Sequence, residues 1–433
     1  MSPTTERAVT YRIDQDLPIL EIGARSGLVW SREGFELAGI DTAARIRIDR
    51  PGGFATAGGR LAELAGAADV DCAGSGPLAF AAMHFDPDAP GELIVPRLVL
   101  GRNAAGMRWL TVVGQEPAAA DRDRVIADAF ARIDDLMSDQ PYDPEGRGDT
   151  VRPPQPVEYS LRSTLTPERW RDDVVGAATD RINDGELLKA VFAREMVLQT
   201  DHPIRPRDVV SRLAAVFPSA AIFLVDGFVG ASPELLVSRI DDVVRAHPLA
   251  GTAARSSDPV VDQRQTAALL ASEKDRWEHR ITIDWLLDTL LPFCSYVDAE
   301  PEPTIVTLAN VHHLGTRVEG RLSSPSAPIL ELVAALHPTP AVGGSPQKEA
   351  LALIAELEQA ERGRYAGPVG WVDGGGNGEF AVGLRSAQMG ADTEDTTVRF
   401  FAGVGVVGDS DPVAELEETR AKFRAMLGAL IVP

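Results

Sequence analysis

Lys189 stands inside the apolar run GELLKAVFARE, in a chain where only four of 42 basic residues are lysines. Arginine keeps its proton throughout the accessible pH range, whereas a desolvated lysine falls from about 10.4 towards neutrality. Choosing lysine here makes Lys189 a candidate general base; the alternative is a lysine snorkelling from the end of a helix or strand. Glu234, in GASPELLVSR, opens another apolar run directly after Ser232-Pro233. Desolvation raises a carboxyl pKa into the range of a general acid, so Glu234 is either that acid or an ordinary strand-edge glutamate.

Near the C-terminus, Glu415, Glu418 and Lys422 follow at i, i+3 and i+7, on one stripe of a helix. Two carboxylates a turn apart can bind a hard divalent cation, and magnesium takes its remaining ligands from water and substrate. Glu278, in SEKDRWEH, would add a third carboxylate, unless both helices simply present solvated acidic faces. GVGVVG carries Gly403, Gly405 and Gly408 at the spacing of a dinucleotide fingerprint. Only twenty-five residues follow Gly408, too few for a second parallel strand and a ribose-binding acid. Glycines at a strand end before a helix can still offer backbone N–H groups to a carboxylate, or serve only packing.

Arg385, in EFAVGLRSAQ, points either to solvent or, through its fork, at a planar anion. Tyr365 is either a core aromatic or a phenol reaching an anion. Gly251-Thr252 ends another strand, where its amides could hold a carboxylate. His312, His313 and His337 match no zinc spacing, and His313 is read as lining a pocket. P-loop, zinc-hydrolase and serine-hydrolase motifs are absent.

These residues need elements to carry them. Residues 1 to about 137 alternate β-like runs (LVWSREGFELAGI, RIRID, LAFAAMHFD, ELIVPRLVLGR, MRWLTVVG) with two helices, GGRLAELAG and a run from Asp121 to about Met137. A Pro- and Gly-rich linker near 138–157 then separates a variable portion, 1–157, from a catalytic portion, 158–433; together they read as one structural domain. A helix follows Thr166 as N-cap with Pro167 in its first turn. Antiparallel strands over 220–251 turn at Asp241-Asp242. SEKDRWEHRITIDWLLDTLLPF reads as an amphipathic helix on Trp277, Ile281 and Trp285, with its acidic residues on other faces. ALALIAELEQAERGR is a further helix, residues 367–407 three strands, and DPVAELEETRAKFRAMLGAL a closing helix.

The chain has 433 residues and a formal charge of −22, which opposes nucleic acid or an anionic membrane as partner; an anionic substrate would need a local cationic site. Two cysteines give no disulfide framework, and no segment is apolar enough to span or target a membrane, so a cytoplasmic protein is expected.

Taken in order, ELLKAVFAR, ASPELL, PLAGTAAR, SEKDRWEH, HHLGT, HPTPAVGG, RYAGPVGW, GLRSA, FAGVGVV and ELEETRAK resemble the chorismate-utilising enzymes, the family of isochorismate, salicylate, anthranilate and aminodeoxychorismate synthases. The likeness runs from about residue 165 to the C-terminus. It implies an α/β (α+β) fold, a large antiparallel-sheet sandwich with helices packed outside. It also implies a magnesium ion at Glu278, Glu415 and Glu418, and chorismate at Gly251, Thr252, His313, Tyr365, Arg385, Gly403, Val404, Gly405 and Lys422. A dianion could then enter an acidic protein, because metal, arginine and lysine reverse the local sign.

Within that family, ammonia-using members carry glutamine where Lys189 stands, and Ala250 occupies a position where aminodeoxychorismate synthases often carry lysine. The resemblance thus implies an isochorismate synthase: neutral Lys189 takes a proton from water attacking C2, and protonated Glu234 gives one to the departing C4 hydroxyl. A salicylate synthase, which also expels pyruvate, and a silent chorismate-binding protein are the alternatives. No glutamine amidotransferase subunit is expected, and the relatives lean towards monomers. Whether menaquinone or a catechol siderophore follows is not encoded in these residues, and Lys274 and Lys348 gain no role.

Overall fold

The computed structural model describes residues 6–49, 52–114, 121–138, 158–390 and 395–431. The expected linker, from residue 139, and the acidic turn at 391–394 lie outside the described residues.

A large, almost wholly antiparallel sheet bends into two wings. One runs through strands 189–200, 397–406, 386–389, 228–232, 221–225, 28–32, 35–48 and 91–102. The other runs through 78–82, 368–373, 378–382, 235–240, 243–247, 318–322 and 294–299. Phe80 pairs with Ile94 to join them. Strands from the first 114 residues enter both wings, so the N-terminal portion closes the same sandwich as the rest.

Residues facing both ways into packed layers lose the polar alternation of an exposed strand, and AIFLV and FVGAS are buried at every position. Trp30, Phe80, Phe223, Phe228 and Trp371 fill the space between the wings. Each such side chain contributes roughly 2–3 kcal/mol by leaving water. Helices Pro206–Val216 and Pro412–Leu430 cover the first wing from outside, and Ile329–Leu336 packs under the second. The hairpin at Asp226-Gly227 has positive φ at both turn residues, the conformation that suits the twist of two adjoining strands. Asp241 takes the same region at the expected Asp241-Asp242 turn.

Several expectations need correction. The helix assigned to GGRLAELAG is Gly53–Ala62, and residues 65–68 form a short strand paired in parallel with 7–12. An additional helix, Ile19–Ser26, lies in the N-terminal portion. RIRID continues the 35–48 strand across a bulge between Thr42 and Ala44, so two expected runs are one. Residues 368–406 form four strands, because Gly383 to Arg385 interrupt what reads as one. The helix in ALALIAELEQAERGR stops at Leu357.

The largest correction concerns Glu273–Leu290. Its buried stripe is Glu278, His279, Thr282, Leu286 and Leu290, while Trp277 is 46% exposed. The apolar stripe expected from the sequence therefore faces outward or sideways, and the carboxylate faces in. This helix packs on the 249–254 strand of a small separate sheet, 249–254, 311–315 and 304–307.

Candidate active site

Most of the sequence-predicted residues meet around one cavity, between the end of the first wing, the small sheet and helices 273–290 and 412–430. Glu234 sits in the two-residue link between strands 228–232 and 235–240. Its backbone is fixed on both sides: its N–H donates to Ser232 Oγ at 3.2 Å, and its carbonyl accepts from Val382 N–H at 3.1 Å. Its side chain is buried, and that desolvation pushes the carboxyl up to about 8, against the opposing pull of the Leu249 N–H and of Lys189, Lys422 and Arg385. It is protonated at neutral pH.

Opposite charges for a substrate come from the anion-binding groups. Arg385 is buried, takes a positive φ of 47°, and its Nε has no partner among the described residues. A strained backbone and an unsatisfied guanidinium donor facing a cavity fit a group awaiting an anion. His313 holds it in place. Burial and the nearby Arg385 and Lys422 depress the imidazole well below its usual range, so the ring is neutral. Its Nδ1 lies 3.2 Å from the Gly251 carbonyl, to which it donates, leaving Nε2 to accept from Arg385 Nη2 at 3.3 Å. Thr252 Oγ1 shares the Nδ1 side at 3.1 Å. Gly251 bulges out of its strand with φ 76°, and a Cβ there would lie 3.0 Å from Asp275 Cβ.

Gly403, Val404 and Gly405 lie within strand 397–406, not at a helix N-terminus; the next helix begins at Pro412 and is capped by Asp411. Their amides are available for a different reason. Opposite Gly403 and Gly405, Ala193 and Val191 send their N–H groups to Glu358 and Gly343, away from the shared ladder. Antiparallel pairing alternates, so Gly403 and Gly405 also turn their N–H and C=O groups outward. Gly403 uses them: its N–H meets the Tyr365 hydroxyl, and its carbonyl accepts from Lys422 Nζ at 2.7 Å. Tyr365 is both things the sequence leaves open, a core aromatic stacked on Phe401 at 5.2 Å and a phenol on the cavity wall; burial raises its pKa.

At the other end the carboxylates and lysines interleave. Lys189 Nζ lies 2.7 Å from Glu278 Oε1, Lys422 Nζ 2.6 Å from Glu418 Oε1, and Lys274 Nζ 3.6 Å from Glu415 Oε1. The Lys189 contact is close without being an aligned hydrogen bond. Lys189 begins strand 189–200 and is fully buried, yet it stands behind Glu278 and does not itself line the cavity. Gly405 allows this approach, since a Cβ there would lie 3.0 Å from Lys189 Cε and overlap Glu278. The base candidate read from the sequence thus has a carboxylate partner, Glu278, in this arrangement.

Glu415 is raised to about 7, first by burial and then by Glu418 and Glu278, with Ser410 and Lys274 opposing. Asp275, which the sequence motifs do not single out, joins the same wall and is raised by burial and by Glu278 and Glu418. Its spacing does carry a signal: Asp275 and Glu278 stand at i, i+3, as do Glu415 and Glu418. Among the described residues no three acidic, histidine or cysteine side chains are already closed into a metal cage. The donor set itself, oxygen-only, partly desolvated and mutually repelling, suits a hard divalent cation over a soft one.

A sequence model of the chorismate binding enzymes matches residues 24–431. Isochorismate synthase DhbC of Bacillus subtilis is 40% identical over 283 residues, 63% of this chain and 70% of that protein. Isochorismate synthase MenF of the same organism is 34% identical over 374 residues, 82% of this chain and 75% of its own. The menaquinone-specific isochorismate synthase MenF of Escherichia coli superposes with a TM-score of 0.78 at 25% identity, covering 98% of this chain and 94% of that one.

Proposed function

This chain belongs to the chorismate-binding enzymes, and on that premise we propose that it is an isochorismate synthase. The observation that carries the mechanism is Glu234, a carboxyl on the cavity wall that burial holds at about 8 even against the pull of Lys189, Lys422 and Arg385. Arg385, Tyr365 and the outward amide of Gly405 hold the carboxylates of chorismate, with His313 keeping the Arg385 fork in position. For Lys189 to act as the base, Glu278 has to turn from it and open it to the cavity; Lys189 then takes a proton from water as the water oxygen bonds to C2. The ring π electrons shift, the C4–O bond breaks with its electron pair going to oxygen, and the Glu234 proton turns that oxygen into a second water. One water enters and one leaves, so no oxidant or reductant is needed.

Glu278, Glu415, Glu418 and Asp275 would hold magnesium. When bound, it supplies positive charge against a substrate carboxylate and against the four carboxylates themselves. Water as nucleophile makes an amidotransferase subunit unnecessary, and the enzyme is read as a monomer of the cytoplasm. Among the described residues no helix is long and apolar enough to cross a membrane.

The test is direct: purified protein, chorismate and magnesium, with products separated. Isochorismate alone is the expected result, salicylate with pyruvate would make it the two-step enzyme, and unchanged chorismate would sink the reading. Lys189→Gln should abolish water addition, and full activity in that variant would remove Lys189 as the base.

A further inference from the structure

Three of the four lysines in this chain each pair with a different one of Glu278, Glu415 and Glu418. With arginine making up the rest of the 42 basic residues, that coincidence calls for a property lysine has and arginine lacks. A guanidinium grips a carboxylate through two parallel bonds, while an ammonium is a compact, strongly hydrated point charge on a flexible stem. It can neutralise a carboxylate and then let go.

The three differ in how easily they could do so. Lys189 is enclosed, with its side chain 1% exposed, and Lys422 is tied to the Gly403 carbonyl as well as to Glu418. Lys274 alone is loose: its contact with Glu415 is 3.6 Å, beyond hydrogen-bond reach, and its side chain is 33% exposed. It rises from the first turn of helix 273–290, next to Asp275, so the stem can swing to solvent without moving the helix. Glu415, on the inner side, is only 6% exposed and has no such freedom.

We propose that Lys274 is a displaceable counter-ion, which holds Glu415 in the metal-free protein and surrenders it to a divalent cation. Metal binding is then the exchange of a tethered single charge for a double one, and Lys274 sets its threshold. The inference rests on the magnesium reading of the carboxylate cluster.

Calorimetric titration of metal-free protein with magnesium chloride, without chorismate, tests it. Lys274→Met removes the competing charge and should bind magnesium about three- to tenfold more tightly; Lys274→Arg should bind it more weakly, because the fork holds the carboxylate. Thermal unfolding gives a second readout: Lys274→Met should melt lower than wild type without metal and equally with saturating metal. If it folds poorly, Lys274→Gln serves the same titration. Unchanged or weaker magnesium binding in the Met or Gln variant, with clear binding to wild type, would overturn the exchange alone. No magnesium binding to wild type would overturn the metal reading and the exchange together.

Discussion

Two carboxyl groups in this cavity, Glu234 and Glu415, are both lifted far above the usual glutamate range, and for both burial is the main cause. Their neighbours are opposite. Glu234 is surrounded by Lys189, Lys422 and Arg385, all of which pull it down, and it still stands at about 8. Glu415 faces Glu418 and Glu278, which push it up further against the opposing Ser410 and Lys274, and it stands at about 7. Desolvation strong enough to defeat three cations marks a group built to carry a proton. Repulsion between neighbours that a cation would relieve is what the proposed magnesium site calls for. Similar positions on the pH scale therefore conceal different work.

The largest break in that comparison is at the shared-cation end. Glu418→Ala should lose magnesium binding by calorimetry and turnover together, and added magnesium should not restore it; normal turnover without metal in this variant would reduce the 412–430 helix to a surface. Glu234→Gln should separate the two functions. Turnover should fall by about 10²–10⁴, the range for a lost general acid, while magnesium binding stays at the wild-type value. A loss of metal affinity in Glu234→Gln would mean that the two ends are one electrostatic unit.

Arg385→Lys is a smaller and more specific change. An ammonium keeps the charge and loses the fork, and it cannot reach both the anion and His313 Nε2. KM for chorismate should rise about ten- to a hundredfold, with kcat less affected. An unchanged KM would show that the guanidinium only fills space.

The two ends of the cavity also differ in how legible they are in the amino-acid sequence. Glu234, Lys189, Arg385 and the Gly403–Gly405 pair announce themselves because each breaks an apolar or strand pattern, and a polar residue in such a run needs a reason. The carboxylate cluster is only half legible. Over the first half of helix 273–290 the inward stripe is polar, Glu278, His279 and Thr282, with Trp277 off it, and only further along do Leu286 and Leu290 make it apolar. Hydrophobic periodicity assumes that the apolar side is the buried one, and a functional face inverts that assumption. Asp275 and Lys274 escape notice for this reason. They sit on a helix whose facing periodicity assigns the wrong way round, in an acidic protein where one more Asp or Lys is unremarkable. Strand pairing is legible wherever burial on both faces leaves continuous apolar runs, and fails at bulges such as Thr42–Ala44, where one extra residue alters the alternation.

The smallest predicted effect isolates Glu234 from catalysis altogether. Its folded-state pKa, about 8, lies above the ordinary value of 4.5. Below pH 4.5 the group is protonated in both folded and unfolded chains and has no influence on the slope. Between 4.5 and 8 the unfolded chain releases the proton while the folded chain retains it, so stability is lost progressively as pH rises, and above about 8 the loss is complete. Glutamine has no proton to release. Urea unfolding of wild type and Glu234→Gln at about pH 5 and about pH 9 should therefore show the variant gaining on wild type by roughly 1–3 kcal/mol at the higher pH. Magnesium should leave that gain in place, since Glu234 is not among the carboxylates assigned to it. A gain that vanished with magnesium would place Glu234 inside the metal's field and merge the two carboxyl groups that the structure sets apart.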